Sequence, residues 1–260
     1  MARNAPKATT LTVLRTEVVA EHFVRVVLGG AGFDEFEPRA ETDSYVKIEL
    51  ASGGDTVLRT YTIRRVDRAA KEIWIDFVVH GDEGVAGPWA RSVQPGTDVT
   101  VRGPGAGYLP DPAADFHLLA GDETAVPAIA VALETLPADA TGAVFVEVAG
   151  PGDELDLVRP AGVSLTWLHR GVAAGDAGPD LTEGNAPLVA AVEALPWPGG
   201  DVQVFVHGEA ETVMKHLHPY LRTDRGVPAS RASISGYWRR GRTEEGFRVW
   251  KRDLAEAEAV

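Results

Sequence analysis

The chain has 260 residues, a hydrophobic share of 45%, and 38 acidic against 25 basic side chains, for a formal net charge of −13. That length and apolar content suffice for two domains with separate cores, and the charge argues against nucleic acid and anionic membrane surfaces as partners. Cysteine is absent, which excludes disulfides, cysteine-ligated iron–sulfur clusters and thiol catalysis within this polypeptide.

No apolar run reaches the length that membrane insertion requires. Residues 1–10 carry basic side chains with no apolar core behind them, so the reading is a cytoplasmic protein without a secretory signal. Charge is unevenly spread: residues 211–252 hold ten Lys/Arg against four acidic residues. The C-terminal quarter is therefore where an anion is expected, although each arginine alone also reads as an ordinary solvated side chain.

From Thr10 onward, six β-rich runs (11–18, 22–28, 45–50, 57–63, 73–79 and 98–102) are separated by turn residues such as Gly29-Gly30 and Gln94-Pro95-Gly96. Such spacing predicts an antiparallel barrel or sandwich. One short helix interrupts it, with Gly87 near the N-cap and Pro88 at the first helical position. Past the Pro-rich linker at 104–112 the pattern changes. Strands at 116–119, 144–149, 164–168, 202–207 and 232–235 alternate with helices at 124–136, 186–195, 210–222 and 243–258, which predicts βα units on a parallel sheet. The expected domains are 1–112 and 113–260. Residues 171–183 read as an exposed, mobile loop.

Two segments carry chemistry. Arg59-Thr60-Tyr61-Thr62-Ile63-Arg64 offers an aromatic face at Tyr61, a hydroxyl and backbone at Thr62, and an Arg59 fork suited to a pyrophosphate. Strict alternation places Tyr61 and Thr62 on opposite faces, so one ligand touching both requires the strand to end or twist at Tyr61. Val79-His80-Gly81-Asp82-Glu83-Gly84-Val85-Ala86-Gly87-Pro88-Trp89-Ala90 opens a helix whose free N–H groups suit a diphosphate.

These segments resemble the siderophore-interacting proteins, flavin-dependent ferric-siderophore reductases related to ferredoxin reductases. The resemblance continues through Gly103-Pro104-Gly105-Ala106-Gly107-Tyr108, 118–129 and Ser235-Gly236-Tyr237-Trp238-Arg239-Arg240-Gly241-Arg242-Thr243-Glu244-Glu245. It implies an N-terminal flavin-binding β-barrel and a C-terminal Rossmann-like, ferredoxin-reductase-like domain. It also implies bound FAD and reduction of iron(III) in a siderophore. The cofactor residues would be Arg59, Thr60, Tyr61, Thr62, Val79, His80, Gly87, Pro88, Trp89 and Ala90, with Asp122, Thr124 and Ala125 at the nicotinamide turn. Lys47 from the barrel and Lys215, Arg239, Arg240 and Arg242 would surround the siderophore. The electron donor would be NADH, NADPH or a reduced ferredoxin as redox partner.

Asp122 and Glu123 occupy the first strand-to-helix turn of the second domain, without a Gly-x-Gly-x-x-Gly run. Two carboxylates there oppose a nicotinamide pyrophosphate, and helix capping by Asp122 or Thr124 explains them equally well. A flavin oxidoreductase with another acceptor and a non-catalytic siderophore carrier remain as alternatives. No metal set and no catalytic triad stand out.

Overall fold

The computed structural model describes residues 6–80, 84–244, 246, 247, 249 and 250. Six strands, β1 (Ala8–Ala20), β2 (Phe23–Gly29), β3 (Tyr45–Ser52), β4 (Asp55–Asp67), β5 (Glu72–Val78) and β6 (Asp98–Gly105), close an antiparallel barrel in the order β1-β2-β5-β4-β3-β6. Alternation fills its interior: Val46, Ile48 and Leu50 of β3 are buried, while Lys47 and Glu49 face outward. Helix α1 (Ala86–Ser92) lies against the barrel through Ala86 and Ala90.

Five parallel strands follow: β7 (Phe116–Asp122), β8 (Thr141–Val148), β9 (Gly162–His169), β10 (Val202–Glu209) and β11 (Ala232–Trp238), ordered β11-β10-β7-β8-β9. Helices α2 (Val126–Thr135) and α3 (Pro187–Glu193) and a helical stretch at residues 210–224, α4, cover the sheet. Two segments of α4, Thr212–Leu217 and Tyr220–Asp224, have π-helical turns. The chain winds outward from β7 through β8 and β9, then returns to β10. The switch point therefore lies between β7 and β10, where doubly wound sheets place ligands.

Barrel and sheet share packing. Phe23, at the start of β2, is fully buried in the cluster formed by α2, β7 and β8. The adjacent turn donates Glu21 N–H to Gly152 O at 3.0 Å and His22 N–H to Asp153 at 2.9 Å. On the other flank Arg64 of β4 forks onto Glu134 of α2 at 2.5 and 3.2 Å.

Of the strand end or twist required at Tyr61, the strand does not end: β4 runs on to Asp67, its ladder to β5 begins only at Ile63, and the register shifts between Ile63 and Arg65. Two further expectations change. The N-cap of α1 is Val85, so Gly87 is the second helical residue and Pro88 the third. Residues 171–183 are not a plain exposed loop. They carry one-turn helices at Ala174–Asp176 and Pro179–Leu181, and they bury Ala174 and Ala177. Of the final helix expected at 243–258, residues 245, 248 and 251–258 lie outside the described ones.

Candidate functional site

The register of β4 builds the first half of the site. Residues 55–62 pair with β3, while the ladder to β5 starts at Ile63, so the Arg59–Thr62 stretch has a strand on one side only. Backbone groups on its other side are available to something other than a strand. Tyr61 is half-buried there, its ring 4.2 Å from that of Phe77, which in turn lies 5.5 Å from Trp89 of α1. Burial holds the Tyr61 hydroxyl well above its ordinary pKa. Arg59 is half-buried and donates Nη1 to Leu58 O at 2.9 Å. Thr62 is buried within hydrogen-bonding reach of the Tyr237 phenol, which β11 brings in from the other unit.

An open cleft of about 550 Å³, the size of an ordinary ligand pocket, lies between the β1–β2 turn and α1. Its lining includes His22, Val79, Ala90 and Arg91. A Cβ on Gly87 would meet Val79 only at ordinary contact distance, 3.6 Å. Packing within the protein therefore does not demand a glycine at this turn. Val79 and Ala90 are buried and shape the cleft from below; the Val79 N–H is bound to His22 O at 2.9 Å. His80 Nδ1 is buried without a hydrogen-bond partner among the described residues. Its Nε2 is 3.8 Å from Glu123. Burial, then the neighbouring His22 and Arg170, lower its pKa. Gly81, Asp82 and Glu83 lie outside the described residues. A flavin dinucleotide fits this set: an open strand edge, a half-buried aromatic ring and an arginine on one stretch of β4.

The sheet crevice is different. Asp122 sits at the switch point, accepting Thr124 N–H (2.9 Å) and hydroxyl (2.5 Å) on one oxygen, and Glu209 N–H and Trp238 Nε1–H (both 2.7 Å) on the other. A Cβ on Gly208 would fall 2.8 Å from that carboxylate, so the close approach requires glycine. Burial and the charge of Glu123 push the Asp122 carboxyl up to about 6, against the donors from Thr124 and Trp238. Buried Arg170 joins Glu123 (2.5 Å) to Glu147 (2.9 Å), and Glu147 also accepts the Leu188 N–H at 2.9 Å. Glu209 accepts the N–H groups of Glu211, Thr212 and Arg240. Residues 174 and 181 close over this network, leaving a cavity of about 20 Å³, room for about one water molecule.

Several expected roles therefore change. Asp122 is a cap, Thr124 is its donor, and Ala125 is fully buried. Lys215 and Arg239 converge on Glu211 at 2.5 and 2.9 Å. Arg240 donates to Ala174 O and lies 5.5 Å over Trp238; its charge thus secures the 171–183 segment. Arg242 is exposed. Lys47, half-exposed on the barrel's outer face, is in register with Thr60 and Arg102. The sequence pattern singled out neither Arg170, Arg91, Tyr237 nor Glu244 as site residues. Tyr237 and Glu244 at least stand inside a motif already quoted, whereas nothing marks Arg170 beyond a charge at the end of a strand.

The family described as "Siderophore-interacting FAD-binding domain" matches residues 49–108, and the one described as "Siderophore-interacting protein" matches residues 114–241. An uncharacterised protein of Mycobacterium tuberculosis is 52% identical over 95% of each chain. The ferric vibriobactin reductase ViuB of Vibrio cholerae is 34% identical over 91% of each. Among solved structures, the siderophore-interacting protein SipS from Aeromonas hydrophila superposes with a TM-score of 0.83 at 31% identity, over 96% of this chain and 99% of that one. A ferredoxin NADP+ reductase from Neisseria gonorrhoeae shares the fold alone, with a TM-score of 0.64 at 13% identity over 89% and 99% of the two chains. With a closed antiparallel barrel joined to a parallel sheet, and relatives that match along nearly its whole length, the chain belongs to the siderophore-interacting protein family.

Proposed function

We propose that this protein is an FAD-dependent reductase of iron(III) held in a siderophore, working in the cytoplasm and releasing iron(II) for use there. The observation that carries the reading is the one-sided pairing of β4 at Arg59–Thr62, with the half-buried ring of Tyr61 in that stretch. FAD, when bound, supplies electron transfer, and the protein supplies binding, orientation and electrostatics. Arg59 and the first turn of α1 (Gly87, Pro88, Trp89) hold the pyrophosphate, and Tyr61 supports the ring. Thr60 and Thr62 orient its edge, with Tyr237 fixing the Thr62 side chain. His80, with its free ring nitrogen, faces the nucleotide half. Lys47, with Arg242, supplies positive charge to an anionic ferric siderophore; Lys215, Arg239 and Arg240 act through the internal contacts that already engage them.

Reduction suffices for release because hard oxygen donors hold iron(II) far less tightly than iron(III). No general base is needed. Filling of the sheet crevice by carboxylates favours a reduced ferredoxin over NADH or NADPH as donor. Anaerobic stopped-flow with pre-reduced protein and a ferric siderophore tests the reading. Flavin reoxidation accompanied by iron(II) release is the expected result; siderophore binding without electron transfer would make the protein a carrier instead.

A further inference from the structure

Glu244 stands where the parallel-sheet unit reaches the barrel's open strand edge. Its Oε1 accepts the Thr60 hydroxyl at 3.0 Å and its Oε2 the Thr60 N–H at 3.3 Å. Thr60 lies in the stretch of β4 that has a strand on one side only, and the carboxylate comes to it from 184 residues away in sequence. The turn that delivers it is anchored on the other unit. Phe247 is buried, with its ring 3.3 Å from where a Cβ on Gly236 of β11 would be. Trp250 carries the Arg239 guanidinium 4.8 Å over its ring. The position of Glu244 is therefore set by the parallel-sheet unit, while its acceptors serve the flavin strand.

The charge is felt along that strand. After burial, Glu244 is the next cause of the raised Tyr61 hydroxyl, with Arg59 opposing. Electrons added to a ring seated on Tyr61 would meet the same repulsion, because a fixed negative charge disfavours further negative charge nearby.

We propose that Glu244 is a positioning residue of the flavin site: it fixes Thr60 for the cofactor and sets a negative charge beside the ring seat that holds the flavin's two-electron potential down. The inference rests on the FAD reading above.

The test compares FAD-loaded parent, Glu244→Gln and Glu244→Ala by anaerobic equilibration with a redox dye and by FAD dissociation. Thermal unfolding of the flavin-free proteins checks that each variant folds. In Glu244→Gln the amide oxygen can still accept the Thr60 N–H, and the Thr60 hydroxyl, which can rotate to accept, pairs with the amide NH2, so both contacts are kept and the charge is lost. FAD affinity should stay within about twofold, while the reduced-to-oxidised ratio at fixed potential rises about tenfold, or about 30 mV for a two-electron couple. Glu244→Ala should show the same rise together with FAD dissociation about fivefold to tenfold faster. Parent potential in both variants overturns the charge role, and parent FAD retention in Glu244→Ala overturns the positioning role. Failure of the flavin reading is separable, since the parent would then take up no FAD.

Discussion

Trp238, the last residue of β11, donates its indole N–H to Asp122 at the end of β7, 2.7 Å away. β10 lies between these two strands, so the bond spans the mouth of the switch point, where a dinucleotide's pyrophosphate would otherwise lie. Asp122 accepts four donors in all. Asparagine offers one acceptor oxygen and would turn an amide group toward donors. Asp122→Asn should therefore destabilise the protein by about 1–3 kcal/mol or more, measured by urea unfolding.

The same residue makes a pH prediction. Its carboxyl titrates at about 6 in the folded protein, above its value in an unfolded chain, so the folded state holds the extra proton between about pH 4 and pH 6. The contribution is complete below that window and falls as pH rises through it, by roughly 2–3 kcal/mol. The stability of the parent relative to Asp122→Asn should be larger at pH 4 than at pH 7. A pH-independent difference would show that Asp122 titrates normally.

Arg170 is the sole cation bonded to Glu123 and Glu147 among the described residues, and all three are buried. Arg170→Met leaves two buried carboxylates without it and should cost about 3–5 kcal/mol in urea unfolding. Adding Glu123→Gln and Glu147→Gln should restore much of the loss. Non-additivity of this kind marks one network rather than three separate contacts.

Nicotinamide dinucleotides should be poor reductants here. The crevice is filled by the protein's own groups down to the volume of about one water. Calorimetric titration with NADP+ should detect no micromolar binding, and flavin reduction by NADPH should be slow even at high concentration. Millisecond reduction at micromolar NADPH would mean that the segment over residues 174 and 181 opens readily.

Two substitutions separate cofactor from substrate. Arg59→Ala should weaken FAD retention by about 1–3 kcal/mol, the range for a hydrogen bond to a charged group, read as release on gel filtration. Lys47→Glu should raise the KM for an anionic ferric siderophore while FAD content and ferricyanide reduction stay near the parent's. Because Lys47 faces outward from β3, folding is expected to be unaffected.

Much of the architecture was legible in the sequence because periodicity reports local burial. The β runs between turn residues map onto β1 to β6, and the alternating β and α patterns map onto the parallel sheet. The Arg59–Thr62 motif also falls on a strand with an open side. What pattern could not supply was pairing over long separations. Arg239 looks like a free cation until the fold brings it to Glu211, the carboxylate that Lys215 already reaches from one helical turn away. Residues 171–183 look like an idle loop until Arg240 ties Ala174 down. The strand end or twist required at Tyr61 takes the form of a ladder to β5 that starts only at Ile63 and shifts register just beyond it, rather than of a strand that stops.

Phe23 gives the barrel's independence a limit. It belongs to the barrel by sequence and to the α2 cluster by packing. A barrel cut out at the linker would leave this ring in water, and the sheet unit made alone would carry a hole of matching shape. The two halves should therefore melt in one cooperative transition, and each is a poor candidate for expression or evolution as a separate module.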